Sequence, residues 1–569
     1  MEKQTKIKQY ILEKESMKLF TMLSGYFLLV LILYSLSSFI NQIYLSLIEV
    51  LSLILPIIIY LIKNKIKNTK KKIITITMYL LLVLFLPFLY TKTYDLSIDG
   101  NTYHKSAIAY IKNGWNPLYE NVKSFQEKND KVIPIENDDR LDIWMEHYPK
   151  ASWIISATMY DLTGNIESGK SITLILSIML LIITYNCLRK IIDKKKSILL
   201  SLLVILNPIV LSQFFTYYVD SIMAICFTIE LLLLILINPK EKINIFLLIN
   251  LISIISLFIN LKFTGLLCSG VIAATYYFYW LFKYKFKEVF KRATTMFLIV
   301  FGIALFIVGS NSYIKNFIDH HNPLYPIIGE DKIDIITTMQ PKNFKNKTKI
   351  EKYLISTFSK TENITYTQTA EFQNPIIIEE DEIDSLYLPD TRIAGFGPYT
   401  GLITVITLLL LIPLSVVLYK KEKESIKYLL LPLTSIILSS LLVGEYWWAR
   451  YVPQLHLIPL GTILLAFYLT KYLNKKVLLI STLILLIPIF INTGCFLYVV
   501  FDNIKIFRTI NNDIYELKNM KDLKLKTTSA KNAYGYYYTL KDNGVKYEID
   551  TNIDNNMIYK YYWRIGVEK

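Results

Sequence analysis

The stretch Thr93-Tyr94-Asp95-Leu96-Ser97-Ile98-Asp99-Gly100-Asn101-Thr102-Tyr103-His104 puts two carboxylates and an imidazole within a dozen residues of the end of an apolar run. A carboxylate held at a membrane surface can act as general base toward an acceptor hydroxyl, and with His104 it can ligate a divalent metal ion if the fold converges them. The same spacing suits a plainer role. The string Asp-Gly-Asn-Thr before an apolar-periodic segment also fits Asp99 as the cap of a helix. Cations recur at similar depth farther along. Lys262 lies in the short connection Asn260-Leu261-Lys262-Phe263-Thr264-Gly265, and Arg450 in Glu445-Tyr446-Trp447-Trp448-Ala449-Arg450-Tyr451-Val452-Pro453. A lysine between two apolar runs calls for an anionic partner. A guanidinium among aromatics can grip a phosphate with two N–H groups, or serve as an interfacial anchor paired with Glu445.

These residues must be positioned by membrane-spanning helices. With 53% apolar residues in 569, the chain has too little polar surface for a soluble globule of its size. Runs long enough to cross a hydrocarbon core fall near 19–40, 43–62, 73–90, 166–188, 197–213, 221–237, 243–260, 264–282, 294–312, 398–418, 428–443, 453–470 and 477–498. The expected fold is therefore all-α and polytopic, with about thirteen spans. A net charge of +16 would suggest nucleic acid in a soluble protein. Here the charge sits in short segments between spans, as the positive-inside bias requires, so no nucleic-acid partner is expected. Cys187, Cys226, Cys268 and Cys495 lie in or beside apolar runs and read as packing residues.

The segments 63–72, 189–196, 283–292, 419–427 and 471–476 are basic and fall on one side, which the bias makes cytoplasmic. The first of them holds six lysines and no acid. Opposite lie the long connections 91–150, with ten acidic and eight basic residues, and 313–397, with thirteen and nine. The organisation expected is a cytoplasmic N-terminus (1–18), a transmembrane domain (19–500) and an outer C-terminal tail (501–569). The tail reads as a small α/β unit, with a helix at 503–520 and strand-like alternation at Tyr534–Thr539 and Val545–Ile549.

The far end of the first long connection, His147-Tyr148-Pro149-Lys150, reads either as an interfacial helix lying along the membrane or as an aromatic belt at a helix start. In the second, His321-Asn322-Pro323-Leu324-Tyr325-Pro326 repeats the Asn-Pro-Leu-Tyr of 116–119, and the polar segment to Asp390 reads as irregular. It closes on Arg392-Ile393-Ala394-Gly395-Phe396-Gly397-Pro398, glycines that allow close backbone approach.

In this order the features resemble the GT-C glycosyltransferases, multi-pass enzymes that keep a catalytic carboxylate in the first outer loop. The resemblance rests on Tyr94-Asp95 to His104, Gly114-Trp115-Asn116-Pro117, His147-Tyr148-Pro149, Leu162-Thr163-Gly164, Tyr217-Tyr218-Val219-Asp220 and Ala449-Arg450-Tyr451-Val452-Pro453. It covers about 73–470 and is nearest to bacterial members. Two spans precede the first loop here where many members have one, and Asp95 and Asp99 stand four apart where several subfamilies have adjacent or alternate acids.

What the resemblance implies is a GT-C-like protein of a bacterial plasma membrane. It would transfer a sugar, with inversion, from a polyprenyl-phosphate donor to a glycan, lipid or protein acceptor. Asp99 would be the base, with Asp95 and His104 in support. Lys262 and Arg450 would hold the donor phosphate, with Lys150 and Arg392 behind them and His147 and Tyr148 toward the substrate; a divalent metal ion stays open. Two rival readings are a polysaccharide polymerase or ligase, drawing on His320, His321 and Arg392, and a lipid-linked sugar flippase or transporter, for which Glu230 is the main intramembrane carboxylate.

Overall fold

The computed structural model describes residues 14–63, 69–129, 139–284, 286–330, 332–334, 336–527, 533–550, 557–562 and 564–568. Among them nine helices are long and apolar enough to cross a membrane. They are Glu15–Phe39, Leu45–Lys63, Thr69–Tyr90, Ile166–Leu188, Phe263–Lys283, Val289–Asn311, Thr400–Lys421, Lys423–Val443 and Lys475–Lys518. In lipid every backbone N–H and C=O must be satisfied within its own segment, which is why such apolar runs become helices. The chain is thus a helical, multi-pass membrane protein.

The remaining four of the thirteen apolar runs form shorter pieces. Asp220–Leu236, Ile245–Ile259 and Pro453–Leu469 have 17, 15 and 17 residues. The run at 197–213 is interrupted after Lys194–Ile205, and Asn207 caps a second short helix, Pro208–Ser212, by accepting from the Ile209 N–H. Pro208 at the first helical position suits that restart.

The basic connections meet at one end of the bundle. Lys283 pairs with Glu424 at 2.9 Å, Lys471 with Glu422, and Lys196 lies over Phe467. Half of the six-lysine segment, residues 64–68, and positions 1–13 lie outside the described residues. At the other end both long connections and the C-terminal segment pack together. The last apolar helix continues without a break from Lys475 to Lys518, so the expected helix at 503–520 is its extension.

That extension carries a four-stranded sheet. Strands β1 (Lys524–Thr527), β2 (Glu548–Ile549), β3 (Met557–Lys560) and β4 (Ile565–Glu568) are ordered β2-β1-β4-β3, with β1 parallel to β2 and antiparallel to β4. Tyr534–Thr539, expected as a strand, is instead part of the helix Gly535–Asp542. Its Tyr536, Tyr537 and Leu540 fill a core with Leu525, Ile565 and Val567, so the burial that looked like strand alternation belongs to a helix covering the sheet.

This unit is docked firmly on the first long connection. Tyr94 sits against Phe507 and Tyr561 and donates to Asn511 at 2.8 Å, and Asp542 accepts from Tyr160 and from the Ile166 N–H, each at 2.8 Å. Below it lies a fully buried charge network. Glu167 accepts from Lys105 at 2.5 Å, from Lys170 at 2.6 Å and from Thr539 at 2.6 Å.

Two other expectations change. The segment after Pro149 is not an interfacial helix lying along a membrane: Ala151–Thr163 is buried on all sides from Ala151 to Tyr160. The second long connection is not irregular throughout. Thr348 and Glu351 form a reciprocal capping box that starts the helix Lys349–Thr357. The repeated Asn-Pro-Leu-Tyr makes one turn twice, Asn116 accepting from the Leu118 N–H and Asn322 from the Leu324 N–H.

Removing one partner of a buried ion pair strands the other charge away from water. Lys105→Met is expected to lower unfolding stability in detergent by about 3–5 kcal/mol. Lys128→Met, which breaks an ion pair to Glu120 in which the lysine side chain is 67% exposed, is expected to cost less than about 1 kcal/mol in the same unfolding measurement.

Candidate functional site

Five chain segments meet where the long connections rest on the helix ends. Asp99 stands at the start of a widened π-helical turn, Gly100–His104, that runs into the helix Lys105–Lys112. Gly100 is required there, because a Cβ would lie 2.0 Å from Asp95 Oδ2. Asp220 opens the helix Asp220–Leu236, and Lys262 immediately precedes the helix Phe263–Lys283. Arg450 lies in the tight turn Ala449–Tyr451, and Asp390 and Arg392 come from the end of the second long connection. Gly395 lets that connection close on the turn, since a Cβ at Gly395 would come within 3.0 Å of the Ala449 Cβ.

Arg450 is the centre of the group. Its Nη1 lies 2.8 Å from Asp390 Oδ1 and 3.8 Å from Asp99 Oδ2, and its Nε lies 3.9 Å from Asp220 Oδ2. Lys262 pairs with Asp220 at 3.1 Å, and Gln213 donates to the same carboxylate. Arg392 lies 3.5 Å from Asp390 and donates to the Ile364 carbonyl, holding Asp390 from behind. The guanidinium of Arg450 is boxed by Trp448, Tyr218 and Tyr451 at 4.7, 5.1 and 5.4 Å, and Lys262 lies 4.2 Å from the Tyr451 ring. Three carboxylates thus face three cations in a ring of aromatics.

The ion pairs do not use up the donors. Arg450 Nε and Nη1 and Arg392 Nε are buried without a hydrogen bond of good geometry among the described residues. A buried guanidinium with unspent N–H groups is suited to an oxyanion. The three carboxylates also differ. Asp220 keeps 4% of its side chain exposed, whereas Asp99 keeps 30% although protein surrounds it. Asp99 therefore keeps part of its carboxylate open to solvent. Desolvation pushes its carboxyl above the usual range, with Asp390 and Asp220 adding to the rise and Arg450 and Lys262 opposing it. A narrow cleft starts at Asp220, Arg450 and Tyr451 and continues between Met223, Phe227, Phe258 and Cys268 toward the apolar interior.

The structure brings together Asp99, Lys262, Arg450 and Arg392. Tyr148 joins them from the first long connection, stacked edge-on against Phe263, and its hydroxyl is pushed up by burial and by the nearby Tyr451, Asp99 and Asp220, with Arg450 opposing. Asp99 makes no capping hydrogen bond, so the capping role is not seen. Asp95 is elsewhere: it accepts from the Ser97 and Tyr217 backbone N–H groups, each at 2.8 Å, and is fully buried. His104 is buried and accepts through Nδ1 from the Trp153 indole at 2.7 Å, which fixes it neutral with the proton on Nε2. Burial pushes it down to about 3.

Lys150 is remote from the group. It donates to the carbonyls of Glu146, Tyr148 and Asn311 and ties the two long connections together, and burial pushes it down to about 7. His147 belongs to that junction, bonded to Asn316 at 2.8 Å and set edge-on against His320 and Tyr325. Glu445, the alternative partner of Arg450, accepts from Trp447 instead.

Asp390, Asp220, Tyr218 and Trp448 belong to the group without having been assigned a site role from the sequence. The Asp390-Thr391-Arg392 string was the available signal, an acid and a base two apart beside the closing glycines. Among the described residues no three His, Cys, Asp or Glu side chains converge as metal ligands. The donor set does not fit a resident divalent ion: Asp95 and His104 are spent on other bonds, and the remaining acids each face a fixed cation. No family model, curated protein or solved structure matches the chain.

His147 is held neutral by burial, its pKa near 4 against an ordinary 6.5, with Lys150, His320 and Lys315 also disfavouring the charge and the Asn316 bond partly offsetting this. As pH falls below 6.5 the unfolded chain takes up this proton first, so the stabilisation present at neutral pH is lost between about 6.5 and 4. At pH 5 the loss from this residue is about 2 kcal/mol. In unfolding measurements at pH 7.5 and 5.0, His147→Asn is expected to reduce the acid-induced loss by that amount.

Proposed function

We propose that this chain is a membrane glycosyltransferase that transfers a sugar from a polyprenyl-phosphate donor to an acceptor hydroxyl. The reaction takes place at the membrane face bearing the long connections, which the charge bias makes the outer one. The observation that carries the reading is the pairing of Asp99, the most accessible carboxylate of the group, with a guanidinium two of whose nitrogens lack a well-aligned hydrogen bond. Arg450 also stands at the mouth of a cleft that runs between the apolar side chains of the helices.

In this reading the donor phosphate meets Arg450 and Lys262, and the lipid tail follows the cleft past Met223, Phe227 and Phe258. Asp390, braced by Arg392, and Asp220 hold the two cations in place and keep the site near neutral until the phosphate arrives. Asp99 takes the acceptor proton as the hydroxyl attacks the anomeric carbon. The C–O bond to the phosphate breaks with inversion, and the leaving phosphate keeps the electron pair against the fixed positive charge. The raised affinity of Asp99 for a proton improves it as a base. Tyr148 bounds the acceptor side.

A translocator of lipid-linked sugars is the second reading, and Glu230 favours it. Both its carboxylate oxygens are buried without a hydrogen bond of good geometry among the described residues.

With membranes supplied with labelled polyprenyl-phosphate sugars, Asp99→Asn is expected to lower transfer by about 10² to 10⁴-fold while donor retention stays within twofold. Arg450→Lys is expected to raise the KM for donor by about tenfold through loss of the planar fork. Full transfer by Asp99→Asn would remove the proposed base. Movement of donor across a sealed bilayer without a new glycosidic bond would establish the second reading.

A further inference from the structure

A second cavity lies at the opposite end of the same helices. It is a partly open space where the helix Asp220–Leu236 ends, where Phe263–Lys283 ends and where Lys427–Val443 begins. At 1.5 Å per residue it is about 24 Å from Asp220 along the first of these helices. This is the end where the basic connections meet. Its lining combines an apolar wall, Leu234 and Trp280, with two lysines, Lys240 and Lys427.

Three features make this a built site and not merely a basic surface. Tyr276 and Tyr279 line the cavity, and their hydroxyls are buried without a hydrogen-bond partner among the described residues; Tyr276 is only 3% exposed. Lys240 pairs with no carboxylate among the described residues and rests 4.7 Å over the Tyr284 ring. Lys427 has only a loose pair, 3.6 Å from Glu424, and that carboxylate is 75% exposed and already 2.9 Å from Lys283. Two cations and two hydroxyl donors thus open into a space whose other wall is apolar.

We infer that this cavity binds the phosphate-bearing headgroup of an anionic membrane lipid. Its oxygens would be taken by Lys240, Lys427 and Tyr276, and its first acyl carbons would lie along Leu234 and Trp280. A donor left unbonded in a buried place costs free energy that an oxyanion removes. The apolar wall is what distinguishes a lipid from a free phosphate. The site is separate from the Arg450 group and stands whether or not the chain transfers sugar.

The test uses the full chain in nanodiscs made with equal phosphatidylglycerol and phosphatidylcholine, with retained lipid measured by native mass spectrometry after delipidation in detergent. Phosphatidylglycerol is expected to be retained in preference. Lys240→Gln with Lys427→Gln should lower that retention about tenfold, and Tyr276→Phe by a smaller factor. The control is Lys420→Gln with Lys475→Gln, which removes the same charge from exposed lysines at the same end and should leave retention unchanged. Equal loss in both double variants would reduce the effect to general surface charge and overturn the proposal. So would equal retention of phosphatidylcholine. Displacement of the lipid by millimolar inorganic phosphate would assign the cavity to a free anion and overturn the lipid reading.

Discussion

Glu167 is fully buried, and three donors from three parts of the chain converge on it: Lys105 from the first long connection, Lys170 from the start of the helix it shares, and Thr539 from the C-terminal unit. An isolated carboxylate in such a place would cost far more than the fold could offset, so the three donors must arrive together or not at all. That requirement fixes the location of everything above it. Lys105 lies one turn beyond Asp99 on the same helical segment, and the Asp95 N–H also reaches Glu167, at 3.2 Å. The position of Asp99 against Arg450 is therefore set by a network that contains neither of them.

The two charged assemblies have opposite character. Around Glu167 the hydrogen-bonding capacity is spent: Lys105 also donates to Asn101 and Thr539, and Lys170 to the Thr93 carbonyl. Around Arg450 it is not. Its ion pairs are close in distance but poorly aligned, two of its nitrogens lack a hydrogen bond, and Asp99 stays accessible. A saturated network gives rigidity and nothing to bind with, whereas an unsaturated one is costly unless a ligand completes it. The proximity of the two, with the first bracing the second, is the arrangement expected of a preorganised site.

What could be read in the sequence was whatever depends on local composition. Apolar runs became helices, lysine-rich connections gathered at one end, and Lys262 needed an anion because its neighbours were apolar; Asp220 is that anion. What could not be read was whatever depends on contacts far apart in the chain. Asp95 and Asp99 look alike in sequence, and only the Tyr217 N–H, 122 residues away, consumes Asp95 and leaves Asp99 open. Lys150 stood behind Lys262 as a phosphate candidate, and three backbone carbonyls take it instead. Tyr534–Thr539 alternates like a strand, yet its aromatic residues cover a sheet whose strands lie on either side of it in the chain.

The same dependence on distant contacts explains why the C-terminal unit matters to a site it does not touch. Thr539 gives its hydroxyl proton to Glu167, and Gly535 lies so close to Asn101 that a Cβ there would meet the Asn101 Cα at 2.6 Å. Asn101 in turn holds the carbonyls of Asp95 and Ser97, the residues on which the Asp99 turn is built. A helix of the tail is thus pressed against the backbone that aims Asp99, with no slack for the turn to relax. The tail braces the carboxylate from one side, and the turns and connections at the helix ends supply the cations it faces.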